Sequence, residues 1–303
     1  LVQSVHPSVG ESVSEEHTSK GADRARRTPY ELVFGETDFE IKVFPRIREE
    51  ARLQNVDPRD HDRFAFLSVV GDALRDVLPE DAPVDAIDQY RAILFHSYNF
   101  WRFERRHYLL EPAVARFLVE AAPGMESWDL DLPYPTLYLQ LPANLFWGSI
   151  SPESVPEPVD GFFVTSSPGE DGLGKPFVRL EVLMVLGIRR DRAGFSVVPF
   201  STEVGPGIPA VWAESPGRDE GRDFENMLPG GDLSGLYSIL TTTEVLKLLA
   251  RALWFLDTNP EGAIPVAPVE RLEPRSPDSP PHPEHPYIRI TLDAAEPSEG
   301  TSE

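Results

Sequence analysis

Between Leu94 and Glu111 the chain reads Leu-Phe-His-Ser-Tyr-Asn-Phe-Trp-Arg-Phe-Glu-Arg-Arg-His-Tyr-Leu-Leu-Glu. These residue types support two kinds of chemistry. Guanidiniums beside aromatic rings bind carboxylates, phosphates and ring faces. Two imidazoles, His96 and His107, offer acid–base catalysis or metal ligation. Wound as a helix at about 100° per residue, the stretch sorts into two arcs. One carries Ile93, Leu94, His96, Phe100, Trp101, Phe103, His107 and Tyr108; the other carries Arg91, Arg102, Arg105 and Arg106, with Phe95 and Tyr98 between them. The binding candidates on this arc are therefore Arg91, Tyr98, Arg102, Arg105 and Arg106. Together they form a docking face for an acidic peptide or an RNA segment. The plainer alternative is a solvated face whose arginines pair with the chain's own carboxylates, each pair contributing little.

Other motifs fall short of a site. Gly169-Glu-Asp-Gly-Leu-Gly-Lys-Pro176 approaches the phosphate-binding loop, but Pro176 replaces the hydroxyl residue and the loop leads into a strand. A hairpin loop is the reading. His282-Pro-Glu284-His285 has ligand types for a metal, yet the prolines keep both imidazoles off one helical face. Asp129 and Asp131 share a side of an extended segment and read as solvated acids. His96 and His107 read as hydrogen-bonded interior residues more readily than as catalysts. No complete catalytic motif occurs. The expectation is no catalytic residue, no metal and no cofactor.

The totals narrow the class of partner. The 303 residues carry 50 Asp and Glu against 28 Lys and Arg, for a formal net charge of −22. That balance argues against DNA and against an anionic membrane surface, and it leaves RNA open only at the local arginine face. With no cysteine, thiolate sites and disulfides are excluded. No run of about 18 apolar residues reads as a membrane span, and the first residues do not read as a signal peptide. A soluble cytoplasmic protein is expected.

The elements that must position these residues follow from periodicity and turn chemistry. Residues 1–28 read as a polar, disordered tail ending in Arg24-Ala-Arg26-Arg27. Residues 29–267 read as one α+β domain, helical over 29–124 and built of sheet plus a buried helix over 125–267. Helices are expected near 38–53, 60–78, 84–108 and 112–121. Strands are expected at 135–141, 160–166, 177–188 and 195–200. Thr241 and Glu244 form a capping box for a helix apolar almost all round, through Leu253-Trp-Phe-Leu256. Residues 268–286 read as a Pro-rich linker, 287–293 as a strand returning to the sheet and 294–303 as an acidic tail. The fold expected is N-terminal helices packed on an antiparallel sheet with one buried C-terminal helix.

Several of these pieces, in this order, resemble the phage- and plasmid-borne anti-CRISPR proteins directed against the type V effector nuclease. They are Trp101-Arg102 followed by Tyr108, Leu110 and Glu111; the Leu132-Pro133 strand start through Leu139; Gly161-Phe-Phe-Val164; Val178 to Leu186; and Leu253-Trp-Phe-Leu256. The resemblance spans Leu94 to Gly262. It implies a non-enzymatic regulator that engages its target protein, or the ribosome-associated nascent chain, and lowers its production. It also implies recognition of protein rather than guide RNA or DNA, and it singles out Trp101 and Arg102. The chain departs from the family in its C-terminal region, which is Pro-rich and acidic where a basic one is expected. Two other readings stand beside it. One is a hydrolase using His96, His107 and Glu104 in a helix–sheet cleft; the other is a virion or assembly component.

Overall fold

The computed structural model describes residues 25–120, 132–143, 145–148, 155–170, 172–174, 176–188, 194–204, 238–239, 242–267 and 285–292. Short helices come first: α1 (Pro29–Val33), a π-helical turn (Phe39–Val43) running into α2 (Phe44–Leu53), α3 (His61–Ala65) and α4 (Ser68–Val77). Thr28 and Glu31 close a capping box on α1, and Asp60 caps α3 through the Arg63 N–H. Helix α5 (Val84–Arg102) follows, and it is buried from Leu94 through Phe100.

Helix α5 stops short of the helix expected to reach residue 108. Glu104 and Arg105 both take left-handed backbone, at φ 67° and 57°. Two successive L-residues there end a right-handed helix and reverse the chain. His107–Leu110 then form strand β1, buried at every position. A short continuous apolar run has no period that separates strand from helix, so the sequence read through the break. Helix α6 (Pro112–Glu120) follows, then β2 (Thr136–Gln140), β3 (Phe146–Gly148), β4 (Glu157–Glu170), β5 (Pro176–Leu186), β6 (Ser196–Val204), β7 (Ser238–Ile239), α7 (Thr242–Thr258), β8 (Ala263–Val266) and β9 (Tyr287–Ile290).

The fold class is α+β. The main sheet runs β6-β5-β4-β2-β1-β9-β8, with β3 and β7 joined at the start of β4. Most pairs are antiparallel, but β1 is parallel to both its neighbours, β2 and β9. The sheet is thus mostly antiparallel, as expected, and mixed at β1. Parallel neighbours need a crossover, which α6 supplies between β1 and β2. The returning strand is β9, paired to β1 and β8. The near-match to a phosphate-binding loop is the hairpin connection from β4 to β5.

Alternation along the strands feeds two cores. Phe162, Val164, Val182 and Met184 face α6 and α7. Phe163, Leu183, Val185 and Tyr138 face α1–α5. Helix α7 is buried even at Lys247 and Arg251, and Arg251 donates to the Leu118 carbonyl at 2.6 Å. Thr241, the cap of its expected capping box, lies outside the described residues. Gly161 lets β2 and β4 approach, because a Cβ there would lie 2.3 Å from the Leu139 carbonyl oxygen.

Candidate functional site

The α5 side of the sheet holds three polar centres. The first is the corner where α5 turns into β1. Trp101 packs on Phe44 and Tyr98, with ring centroids 5.4 and 5.9 Å away, and the Arg48 guanidinium stands 5.6 Å over its ring. Past the left-handed turn, Arg105 pairs with Glu40, approaches His285 Nε2 at 2.9 Å and stacks over Tyr30. Arg106 pairs with Glu104 and lies 4.1 Å over Tyr134. Trp101, Arg105 and Arg106 line one open cleft of about 450 Å³, closed on its far side by His285, Tyr287 and Ile288. Arg102, on the last turn of α5, is exposed and stacks on Phe103 at 5.2 Å. No carboxylate among the described residues lies within ion-pair distance of Arg102.

The other expected docking residues sit elsewhere. Tyr98 has no exposed surface and packs edge-on to Phe44. It is a core residue, as is Phe95, so neither can stack on a partner. Arg91 is paired with Asp88 at 2.9 Å, away from the corner. The single arginine arc does not exist as drawn, because Arg105 and Arg106 are not helical. Of the expected residues, the chain reversal brings only Trp101, Arg105 and Arg106 to one cleft.

The second centre is closed. Arg26 donates to Asp160 Oδ1 at 2.6 Å and to the Leu141 carbonyl at 2.7 Å. The Tyr138 hydroxyl donates to Asp160 Oδ2 at 2.5 Å, and Gln140 Nε2 donates to the same oxygen at 3.1 Å. Gln140 Oε1 accepts from the Arg26 backbone N–H at 2.8 Å and lies 3.3 Å from His107 Nε2. Burial lowers the His107 pKa to about 4, against the pull of Asp160. Burial and the adjacent Asp160 hold the Tyr138 phenol well above its ordinary range. Arg26, in the basic run before α1, is thus bound to the protein's own carboxylate.

The third centre opens as a cleft of about 650 Å³ between α3, α5 and the β5–β6 hairpin. Strand register builds its floor. Thr136 pairs with Thr165, Thr165 with Glu181, and Glu181 with Ser201, so four adjacent strands present one polar row. His96, only 3% exposed, lies above it with Nδ1 3.2 Å from the Thr165 hydroxyl. That hydroxyl in turn accepts from Thr136 at 3.3 Å. Burial pushes His96 down to about 3 and Glu181 up to about 7.

The polar groups of the hydrolase reading do not converge. His96 lines the third centre, whereas His107 and Glu104 line the corner. Of the metal-type sequence 282–285, only His285 is described, and it serves Arg105. Asp129 and Asp131 lie outside the described residues. Among the described residues no group of three or more His, Asp or Glu could hold a metal ion, and no helix is long and apolar enough to cross a membrane. Sequence reasoning missed Arg26, Asp160 and Glu181. The last two had a legible signal, since Asp160 directly precedes Gly161-Phe-Phe-Val and Glu181 stands between Leu180 and Val182.

Fold and site together define an α+β protein with open, arginine-lined and carboxylate-lined clefts. No family model matches the chain, and no curated protein matches it. Among solved structures it has a distant likeness to the crystal structure of AcrVA2, at 14% sequence identity and a TM-score of 0.45, covering 86% of this chain and 81% of that one.

Proposed function

We propose that this chain is a non-enzymatic regulatory protein that binds another protein at the α5–β1 corner, in the manner of an anti-CRISPR protein engaging its target or the nascent chain of that target. The observation that carries the reading is the pair of left-handed residues at Glu104 and Arg105. Such conformations cost about 1–3 kcal/mol each and persist where function needs a side chain aimed. Here they place Arg105 and Arg106, each paired to a carboxylate of the corner, on the cleft beside Trp101, and Arg102 is exposed on the last turn of α5 outside its lining. A guanidinium and an aromatic wall suit an acidic segment carrying one ring or aliphatic side chain. The order of motifs from Trp101 to Leu256 supports the regulatory class.

Selection from a displayed library of random peptides tests it. The expected result is enrichment of acidic sequences with an apolar residue. Affinity should drop at least tenfold in Arg102→Glu/Arg106→Glu, with an unchanged circular-dichroism spectrum. Failure to enrich, or equal binding by the folded variant, would remove the corner as the docking site.

A further inference from the structure

Under α5 the sheet grades from oil to charge in three successive rows. Tyr138, Phe163 and Leu183 form an apolar row in the core. Thr136, Thr165, Glu181 and Ser201 form the next. Ser167, Arg179 and Glu203 form the last, at the mouth. Side chains on alternate residues of a strand share a face, so all three rows look toward α3 and α5.

The pairing within this cleft is uneven. Arg179 is taken: its guanidinium bonds Glu203 at 2.8 Å and lies 3.8 Å from Asp62. Glu181, deeper and half-buried, has no hydrogen bond and no ion pair among the described residues. A carboxyl group withdrawn from water without a partner is unfavourable, and a bound cation relieves that cost. The groups facing Glu181 favour this outcome. From α3 and its cap come His61, Asp62 and Asp60, and from α5 comes His96. From the strands come Arg179, Ser201 and Glu203. Burial lowers both imidazoles, so at neutral pH neither opposes a cation. Arg91 acts on His61 from α5 but is held by Asp88. With Arg179 neutralised by its partners, the surplus charge in the cleft is negative.

We propose that this cleft is a recognition site for one organic cation, an ammonium or guanidinium group, with Glu181 as its counter-ion and His96, held by the Thr165 hydroxyl beneath it, as its fixed polar back wall. The site is separate from the arginine corner and takes the opposite charge. The cation comes either from a free small molecule or from a lysine or arginine of a bound protein.

The test uses the full chain and two capped amino acids of nearly the same shape, arginine and its neutral analogue citrulline. The Glu181 side-chain carboxyl carbon is followed by NMR through a pH titration. Saturating capped arginine or n-butylammonium should lower the Glu181 midpoint by at least one pH unit, and capped citrulline should leave it in place. Glu181→Gln should weaken capped arginine at least tenfold, while Arg102→Glu leaves it unchanged. If the glutamine variant does not fold, the wild-type titration decides alone. An equal shift with citrulline overturns the proposal. If the free probes leave the midpoint in place, an arginine-containing pentapeptide is used, and a shift there assigns the cation to a protein partner. No shift with either source overturns the site.

Discussion

The sheet face under α5 has a polar centre at each end, and the two are built on different terms. At one end Asp160 is met by Arg26, Tyr138 and Gln140. At the other, Glu181 has no hydrogen bond and no ion pair among the described residues, and the one cation acting on it, Arg179, is held by Glu203. Both are carboxylates beside apolar strand residues, Val159 at Asp160 and Leu180 and Val182 at Glu181. The closed centre fastens the segment before α1 to the sheet and has no capacity left for a ligand. The open one keeps a charge at the back of a cleft. Burial of a polar group thus says little about its use; whether its partners lie within the chain says more.

The largest test of that contrast removes the closed centre. Asp160→Ala strands the Arg26 guanidinium and should cost about 3–5 kcal/mol in urea unfolding. Arg26→Met/Asp160→Leu should lose less than Asp160→Ala alone, because no buried charge is left single. A loss below about 1 kcal/mol for Asp160→Ala would mean the centre is not closed in solution.

Acid should act more gently, and in a known direction. His107 and His96 have folded values of about 4 and 3, below the ordinary imidazole value of about 6.5. The unfolded chain therefore binds more protons between those values. The stability is full above about pH 6.5 and is lost as pH falls toward 4. His107→Gln should recover about 2 kcal/mol of the wild-type loss between pH 7 and 5. Glu181 works the other way: its raised value gives stability below the ordinary carboxyl range that is lost as pH rises through about 7. Solvent at the cleft weakens that opposing effect. Stability that rises on acidification from pH 7 to 5 would contradict the burial of both imidazoles.

Smaller effects sharpen the line between core and corner. The Tyr98 hydroxyl is buried with no hydrogen-bond partner among the described residues. Tyr98→Phe should therefore leave thermal stability unchanged or raise it by up to about 1 kcal/mol, and should not alter peptide binding. Arg102→Glu should change stability least, within about 0.5 kcal/mol, while weakening an acidic peptide at least tenfold. If Tyr98→Phe weakened binding and Arg102→Glu did not, the docking surface would have to be redrawn around the helix.

Local pattern alone determined much of this molecule. The strands around Leu137, Phe163 and Val182 alternate or run apolar, and they form where their residue types indicate. Pro79 and Pro142 end their segments, and α7 is as buried as its composition implies. The charge of −22 was also legible, with its bias against nucleic-acid backbones. The helical reading of Arg105, Arg106 and His107 failed for a definite reason. Two left-handed residues of ordinary type carry no sequence mark such as glycine, so the reversal at Glu104 was invisible. The parallel seat of β1 was equally hidden, since strand direction depends on a crossover and not on the strand. Arg26 and Asp160 are far apart in the chain, and only the tertiary fold joins them. Only the fold, too, set Thr136, Thr165, Glu181 and Ser201 side by side, because register across four strands is a property of the assembled sheet and of none of the strands alone.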